Sequence, residues 1–197
     1  MSDLRSEPFL WIHLSGIALF PALLEVVWVG LAIGSPGSFS TLELVLIAII
    51  GILPVLLMQL IRPFEIFSIL LFALKPECLS LEQRQILAVF RTTKLKFLSA
   101  IAAGIMILLL WLLYSLSPLA IGLASFFPQS HVLGLAISIL GFLGSNLFLQ
   151  VPISVLAVLL TNKSQLATME PYPVDKINQD FTVPGIKVNQ ILWFLDR

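Results

Sequence analysis

The chain has 197 residues, 58% hydrophobic and only 11% charged, with a mean hydropathy of +1.03. A water-soluble domain carries about a quarter of its residues as charges, so this composition excludes one. The formal net charge of zero predicts no partner, and one cysteine, Cys78, excludes an intramolecular disulfide and any cysteine-based metal cage.

A helix crossing a hydrocarbon core about 30 Å thick needs about 20 mainly apolar residues, at about 1.5 Å each. The segments 9–33, 42–61, 97–116 and 132–160 meet that requirement. The expected fold is therefore all-α: a polytopic membrane protein with a transmembrane helical domain over 1–160 and a cytoplasmic tail over 161–197. The first apolar run exceeds a signal-peptide core of about 7–15 residues, which predicts a retained helix. Trp11 and Trp28 lie within it, roughly 25 Å apart along a helix axis, so each indole can mark one interface. GSPGSFS at 34–40 then breaks the chain before the second span.

The stretch 63–74 is apolar but too short to span. Arg62-Pro63 ends or kinks the second span, and Glu65 suits lipid poorly. A short interfacial or re-entrant helix is expected there, with one long helix over 42–74 as the alternative. In SLEQRQILAVFRTTKLKF, Ser80 and Gln83 fit a capping box. Ile86, Val89, Phe90 and Phe97 share one helical face, and Arg84, Arg91 and Lys94 lie off it. This pattern predicts either a cytoplasmic amphipathic helix on an anionic membrane surface or a polar-faced extension of the third span.

The fourth span is longer than the bilayer requires, so it tilts, bends or projects. Pro152 lacks the N–H that would bond the Phe148 carbonyl, which predicts a kink beside Gln150. In the tail, Pro171, Pro173 and Pro184 argue against a long helix before 185. The apolar cluster at 191–195 is expected to anchor on the membrane or on a partner.

Orientation follows from the basic residues. Arg5 precedes the first span; Arg62, Lys75, Arg84, Arg91, Lys94 and Lys96 separate the second and third; Lys163, Lys176, Lys187 and Arg197 follow the fourth. The other two connections carry none, so four spans place all eleven on one face. The positive-inside rule makes that face cytoplasmic, along with both termini.

Few side chains could carry chemistry. Glu25 lies well inside the first span, where an ionisable group is costly. It reads as a coupling site for a proton or cation, as an axial ligand to a pigment magnesium, or as a carboxyl hydrogen-bonded to a neighbouring helix. His13 and His131 stand at span edges and read first as interfacial side chains, with His13 a candidate ligand. Gln59, Asn146 and Gln150 suit helix-to-helix hydrogen bonds, with Asn146 a further cofactor candidate. Gly134, Ser138, Gly141 and Ser145 form a stripe of small residues on the fourth span, suited to close packing within the bundle or against a partner helix. Ala100 and Gly104 give a weaker version on the third. No phosphate-binding loop, zinc-protease or hydrolase motif and no paired intramembrane carboxylates occur. No catalytic or metal-binding residue is expected.

Three stretches, SEPFLWIHLSGIALFP at 6–21, PVLLMQLIRPFEIFSILLFALKPE at 54–77 and EPYPVDKINQDFTVPGIKVNQILW at 170–193, resemble the cyanobacterial low-complexity tail membrane proteins. The resemblance covers most of the chain, although the residues up to Arg197 include no low-complexity extension. It implies a cyanobacterial thylakoid or plasma membrane and makes chlorophyll or carotenoid conceivable partners. It supplies no catalytic residue. The expected function is a non-enzymatic auxiliary or assembly subunit that associates, within the lipid bilayer, with other membrane proteins of a larger complex, which photosynthetic membranes would supply. A small ion-coupled transporter using Glu25 is the alternative, and pigment binding through Glu25, His13 or Asn146 a weaker one.

Overall fold

A computed structural model describes residues 6–34, 39–69 and 71–191. Four helical stretches are long and apolar enough to cross a membrane: Pro8–Ile33, Thr41–Ile61, Thr93–Ala124 and His131–Leu159. The first consists of α1 (Pro8–Ser15), a 3-10 turn and α2 (Leu19–Ile33). The second is α3 (Thr41–Ile61). The third runs from α5 (Thr93–Leu116) through a 3-10 turn at Ser117–Ala120 into α6 (Ile121–Ala124), and the fourth is α7 (His131–Leu159). The chain is an integral membrane protein of predominantly helical fold. It divides into two compact units, one comprising Gly16–Leu56 and Ala100–Gln150, the other Met1–Ser15, Leu57–Ser99 and Val151–Arg197.

The first of these units contains no Lys or Arg. Its helices meet through small residues. A Cβ on Gly134 would lie 2.3 Å from the Gly34 nitrogen and 2.6 Å from the Gly30 carbonyl oxygen. A Cβ on Gly30 would meet the Ser138 hydroxyl at 2.7 Å, and one on Gly141 would meet Val27 at 3.1 Å. The α2 and α7 backbones therefore touch without intervening side chains, the packing that replaces a hydrophobic drive in lipid. Ser40 starts α3 with a reciprocal cap: its hydroxyl accepts the Glu43 N–H, and the Glu43 carboxylate accepts the Ser40 N–H at 2.7 Å. Ala32, Ile33, Ala120 and Ala124 close a small core beside Trp28, whose indole N–H donates to the Leu116 carbonyl.

The other unit holds all eleven basic residues. Its helix α4 (Leu81–Phe90) starts in the expected capping box, with Ser80 and Gln83 bonding each other's backbone. Ile86, Val89 and Phe90 are buried, but Phe97 is exposed because the chain breaks after α4 and restarts as α5. The segment 63–74 differs from the expected interfacial or re-entrant helix. It forms a loop and a hairpin, β1 (Ser68–Ile69) and β2 (Phe72–Leu74), in antiparallel register with Ser68 opposite Ala73. Pro63 ends the preceding helix, and the Glu65 carboxyl accepts the Phe67 N–H at 2.7 Å, replacing a helical bond. β3 (Ile186–Val188) then adds in parallel to β2, with Phe72 opposite Ile186, and makes a three-stranded sheet in the order β1-β2-β3. Gly185 makes this possible: its φ is 70°, and a Cβ there would lie 2.0 Å from the Leu71 carbonyl oxygen.

The expected tail is built into the same unit. It forms α8 (Lys163–Ala167), α9 (Val174–Asp180) and β3, with no long helix between its prolines. Thr182 bridges Phe64, and its N–H donates to the Pro63 carbonyl while its own carbonyl accepts from Glu65. Of the apolar cluster at 191–195, only Ile191 lies within the described residues.

Candidate functional site

Glu25 stands exposed on α2 and makes no hydrogen bond among the described residues. Of its three readings, the carboxyl hydrogen-bonded to a neighbouring helix has no such bond among the described residues. Instead the side chain borders a cavity of about 800 Å³ together with Trp28, Leu123, Phe126, Phe127 and Ile137. Apart from this carboxyl, these side chains present aromatic and aliphatic surface. The cavity opens from the bundle, since Phe126, Phe127 and Leu123 are all exposed.

His13 is tied into the sheet. Its Nε2 lies 2.9 Å from both the Ile66 and the Ser68 carbonyl oxygens. Carbonyls only accept, so Nε2 carries the proton and only Nδ1 could ligate a metal. Phe64 packs edge-on against the ring. Ser68 is in β1 and Ile66 lies two residues before it, while the Phe67 carbonyl between them bonds Leu74 of β2, so His13 covers the side of β1 away from β2.

Asn146 is fully buried, and both ends of its amide are engaged. Its Nδ2 donates to the Gly51 carbonyl at 2.9 Å, and its Oδ1 accepts from Gln150 at 3.0 Å. Pro54, inside α3, lacks the N–H that would bond the Ile50 carbonyl, so Asn146 supports a weakened stretch of that helix. Ser138 and Ser145 are buried on the small-residue stripe, each donating to the carbonyl four residues earlier. The stripe packs against Val27, Gly30 and Gly34 of this same chain.

The expected membrane-facing trio divides. Arg84 donates to the Tyr172 carbonyl, and Arg91 donates to the carbonyls of Ile61 and Asp180, with its guanidinium 3.9 Å from the Asp180 carboxylate. Only Lys94 is exposed. The arginine side chains are drawn inward because α9 and the segment before it present backbone carbonyls that need donors. Arg62 does the same for the carbonyls of Asn178 and Phe181.

Several residues outside the expected set matter as much. Glu65 is 1% exposed; one carboxyl oxygen takes the Phe67 N–H, and the other is buried without a partner among the described residues. Burial raises its pKa to about 7, against the smaller lowering from that N–H. Tyr172 is pushed up to about 12, first by burial and then by its hydrogen bond to Asp180. Glu7 is raised by burial, offset in part by a hydrogen bond from Gln83. His131 places one ring nitrogen on the Gly34 carbonyl and the other on Glu43, and it stacks on Phe39. The S-x-x-E spacing of Ser40 and Glu43 was the available signal for that cap, and Gly30 with Gly34, a GxxxG pair, was the signal for the partner of the α7 stripe. Among the described residues, no three His, Cys, Asp or Glu side chains are grouped to hold a metal ion.

The sheet has two edges. His13 covers β1, whereas β3 is open among the described residues. Beside that open edge Leu71, Phe72 and Ile186 are 68%, 49% and 64% exposed, outside the membrane-spanning helices.

Comparison with curated proteins and with solved structures returns no match. A family model described as low-complexity tail membrane protein-like matches residues 6–193, nearly the whole chain. With its four apolar helices and this match, the chain belongs to the low-complexity tail membrane protein-like family.

Proposed function

We infer that the protein is a non-enzymatic membrane subunit that docks on another membrane protein of a larger complex. The observation that carries this reading is the open β3 edge beside exposed Leu71, Phe72 and Ile186. An edge strand offers outward N–H and C=O groups, which another polypeptide can pair and lipid tails cannot. The neighbouring apolar side chains supply area for the same contact. The opposite edge is stopped by His13, so among the described residues one edge is left for a partner. A cytoplasmic position for this edge is supported by the concentration of every basic residue in the unit that carries it, under the positive-inside rule. A photosynthetic membrane fits the family resemblance and is the setting in which to seek the partner.

The test uses tagged chain solubilised in mild detergent from its native membranes and run on a native gel. Wild type is expected well above its own 21.7 kDa plus detergent. The double variant Phe72→Glu, Ile186→Glu is expected to fall to the mass of the bare chain. Wild type already migrating as the bare chain, or an unchanged complex in the variant, contradicts the reading.

A second reading, ion-coupled transport, draws on the exposed carboxyl of Glu25. The polar groups of the same unit support it less: Asn146 bonds Gly51 and Gln150, and Ser138 and Ser145 bond their own helix. Pigment ligation is likewise narrowed, because His13 and Asn146 already have partners.

A further inference from the structure

We propose that the cavity beside Glu25 binds an amphiphile with a positively charged ammonium head and an apolar tail. The carboxyl has no hydrogen-bond partner among the described residues, and it stands within a membrane-spanning helix. Ionisable groups at such positions are paired or face a cavity, and Glu25 borders one lined otherwise by aromatic and aliphatic side chains. Its volume of about 800 Å³ lies within the range of ligand sites, about 300–1,000 Å³.

The lining selects the ligand's chemistry. Trp28, Phe126 and Phe127 line the cavity, and aromatic rings of this kind attract a cation through their quadrupoles, as in the recognition of ammonium heads. Glu25 supplies the opposite charge. An anionic head would be repelled, and a small neutral polar solute would find apolar walls with too few hydrogen-bond partners. Leu123 and Ile137 provide the surface for an apolar tail. Depth agrees with a lipid-like molecule: Glu25 is about 4.5 Å along the helix axis from Trp28, an interface marker, so a head at the carboxyl stays within reach of that interface while its tail lies in the bilayer. The same chemistry is found in an amine-headed lipid and in a free lipophilic cation.

The whole chain in dodecyl maltoside distinguishes these sources. Native mass spectrometry would compare retention of phosphatidylethanolamine with that of phosphatidylglycerol of identical acyl chains. Tetrabutylammonium binding would be measured in parallel by calorimetry. At least one ammonium probe is expected to bind, with the phosphatidylethanolamine preference or the tetrabutylammonium affinity about tenfold lower in Glu25→Gln. Glu25→Asp should retain binding. Phe126→Ala, at an exposed position, should weaken binding while leaving thermal unfolding unchanged. Binding of the lipid alone assigns a lipid site, and binding of the free cation alone assigns a lipophilic-cation site; either supports the proposal. Equal retention of the two lipids without cation binding, or binding unaffected by Glu25→Gln, overturns it.

Discussion

Gly134 on the fourth span lies so close to Gly34 at the end of α2 that a Cβ on the former would sit 2.3 Å from the nitrogen of the latter. The obstacle is backbone, which cannot rotate aside as a side-chain tip can. Gly134→Ala is therefore expected to destabilise by about 1–3 kcal/mol through overpacking, despite alanine's better helix propensity. Gly104→Ala serves as the control, since nothing beyond its own helix backbone and chain neighbours lies within 4 Å of its Cβ position among the described residues. It should be neutral or gain up to about 1 kcal/mol. Unfolding in mixed detergent micelles checks both; equal behaviour of the two variants would refute the close α2–α7 packing.

Asn146→Ala removes a donor from the Gly51 carbonyl and an acceptor from Gln150 at once. Helix-to-helix hydrogen bonds in membranes are worth about 0.6–2 kcal/mol, and a loss of that order is expected in the same assay. The effect should shrink when Gly51's turn is strengthened by Pro54→Ala. Additive losses in the double variant would show that the two sites do not support each other.

The buried Glu65 makes stability depend on pH. Its folded pKa, about 7, is raised above the ordinary 4.5, so the folded state holds the proton more tightly. The sign follows from linkage: the contribution is full below about 4.5 and is lost as pH rises through about 7. The span of that loss is about 3 kcal/mol. Glu65→Gln keeps an acceptor for the Phe67 N–H and removes the titration, so the variant should be more stable than wild type at pH 8. Denaturation between pH 5 and 8 checks this, and parallel profiles for both proteins would count against a buried, protonated Glu65.

His13→Ala leaves the buried carbonyls of Ile66 and Ser68 without their donor. An unsatisfied buried acceptor costs about 1–3 kcal/mol, so the hairpin should loosen locally. Hydrogen exchange at the Leu74 amide, which bonds the Phe67 carbonyl, is expected to accelerate. Unchanged exchange there would show that the imidazole is not what holds β1.

What could be read from the sequence was local or summed over long windows. Hydropathy over about twenty residues located all four spans, and the Ser80–Gln83 cap was recognisable because its partners are three residues apart. The sheet was not legible, because β2 and β3 are short runs whose pairing depends on Gly185 meeting Leu71 from the far end of the chain. The acceptors of Arg84 and Arg91 are backbone carbonyls, which a sequence pattern does not display, so the pattern left a membrane-surface helix and a polar-faced extension of the third span as its two readings. Glu25 was conspicuous as a charge within a span, but its aromatic neighbours come from α2 itself and from the residues after α6.

The division of charge between the two units is the foundation of the topology, and native Cys78 tests it directly. Cys78 is exposed in the unit that holds every basic residue, whereas Gln129 lies in the unit that holds none. In sealed inside-out vesicles, a membrane-impermeant maleimide is expected to label Cys78 in the otherwise native chain. It should fail to label Gln129→Cys in a Cys78→Ser background until the membrane is permeabilised. Labelling of Gln129→Cys with protection of Cys78 would contradict the orientation, and labelling of both from one side would contradict the four-span count.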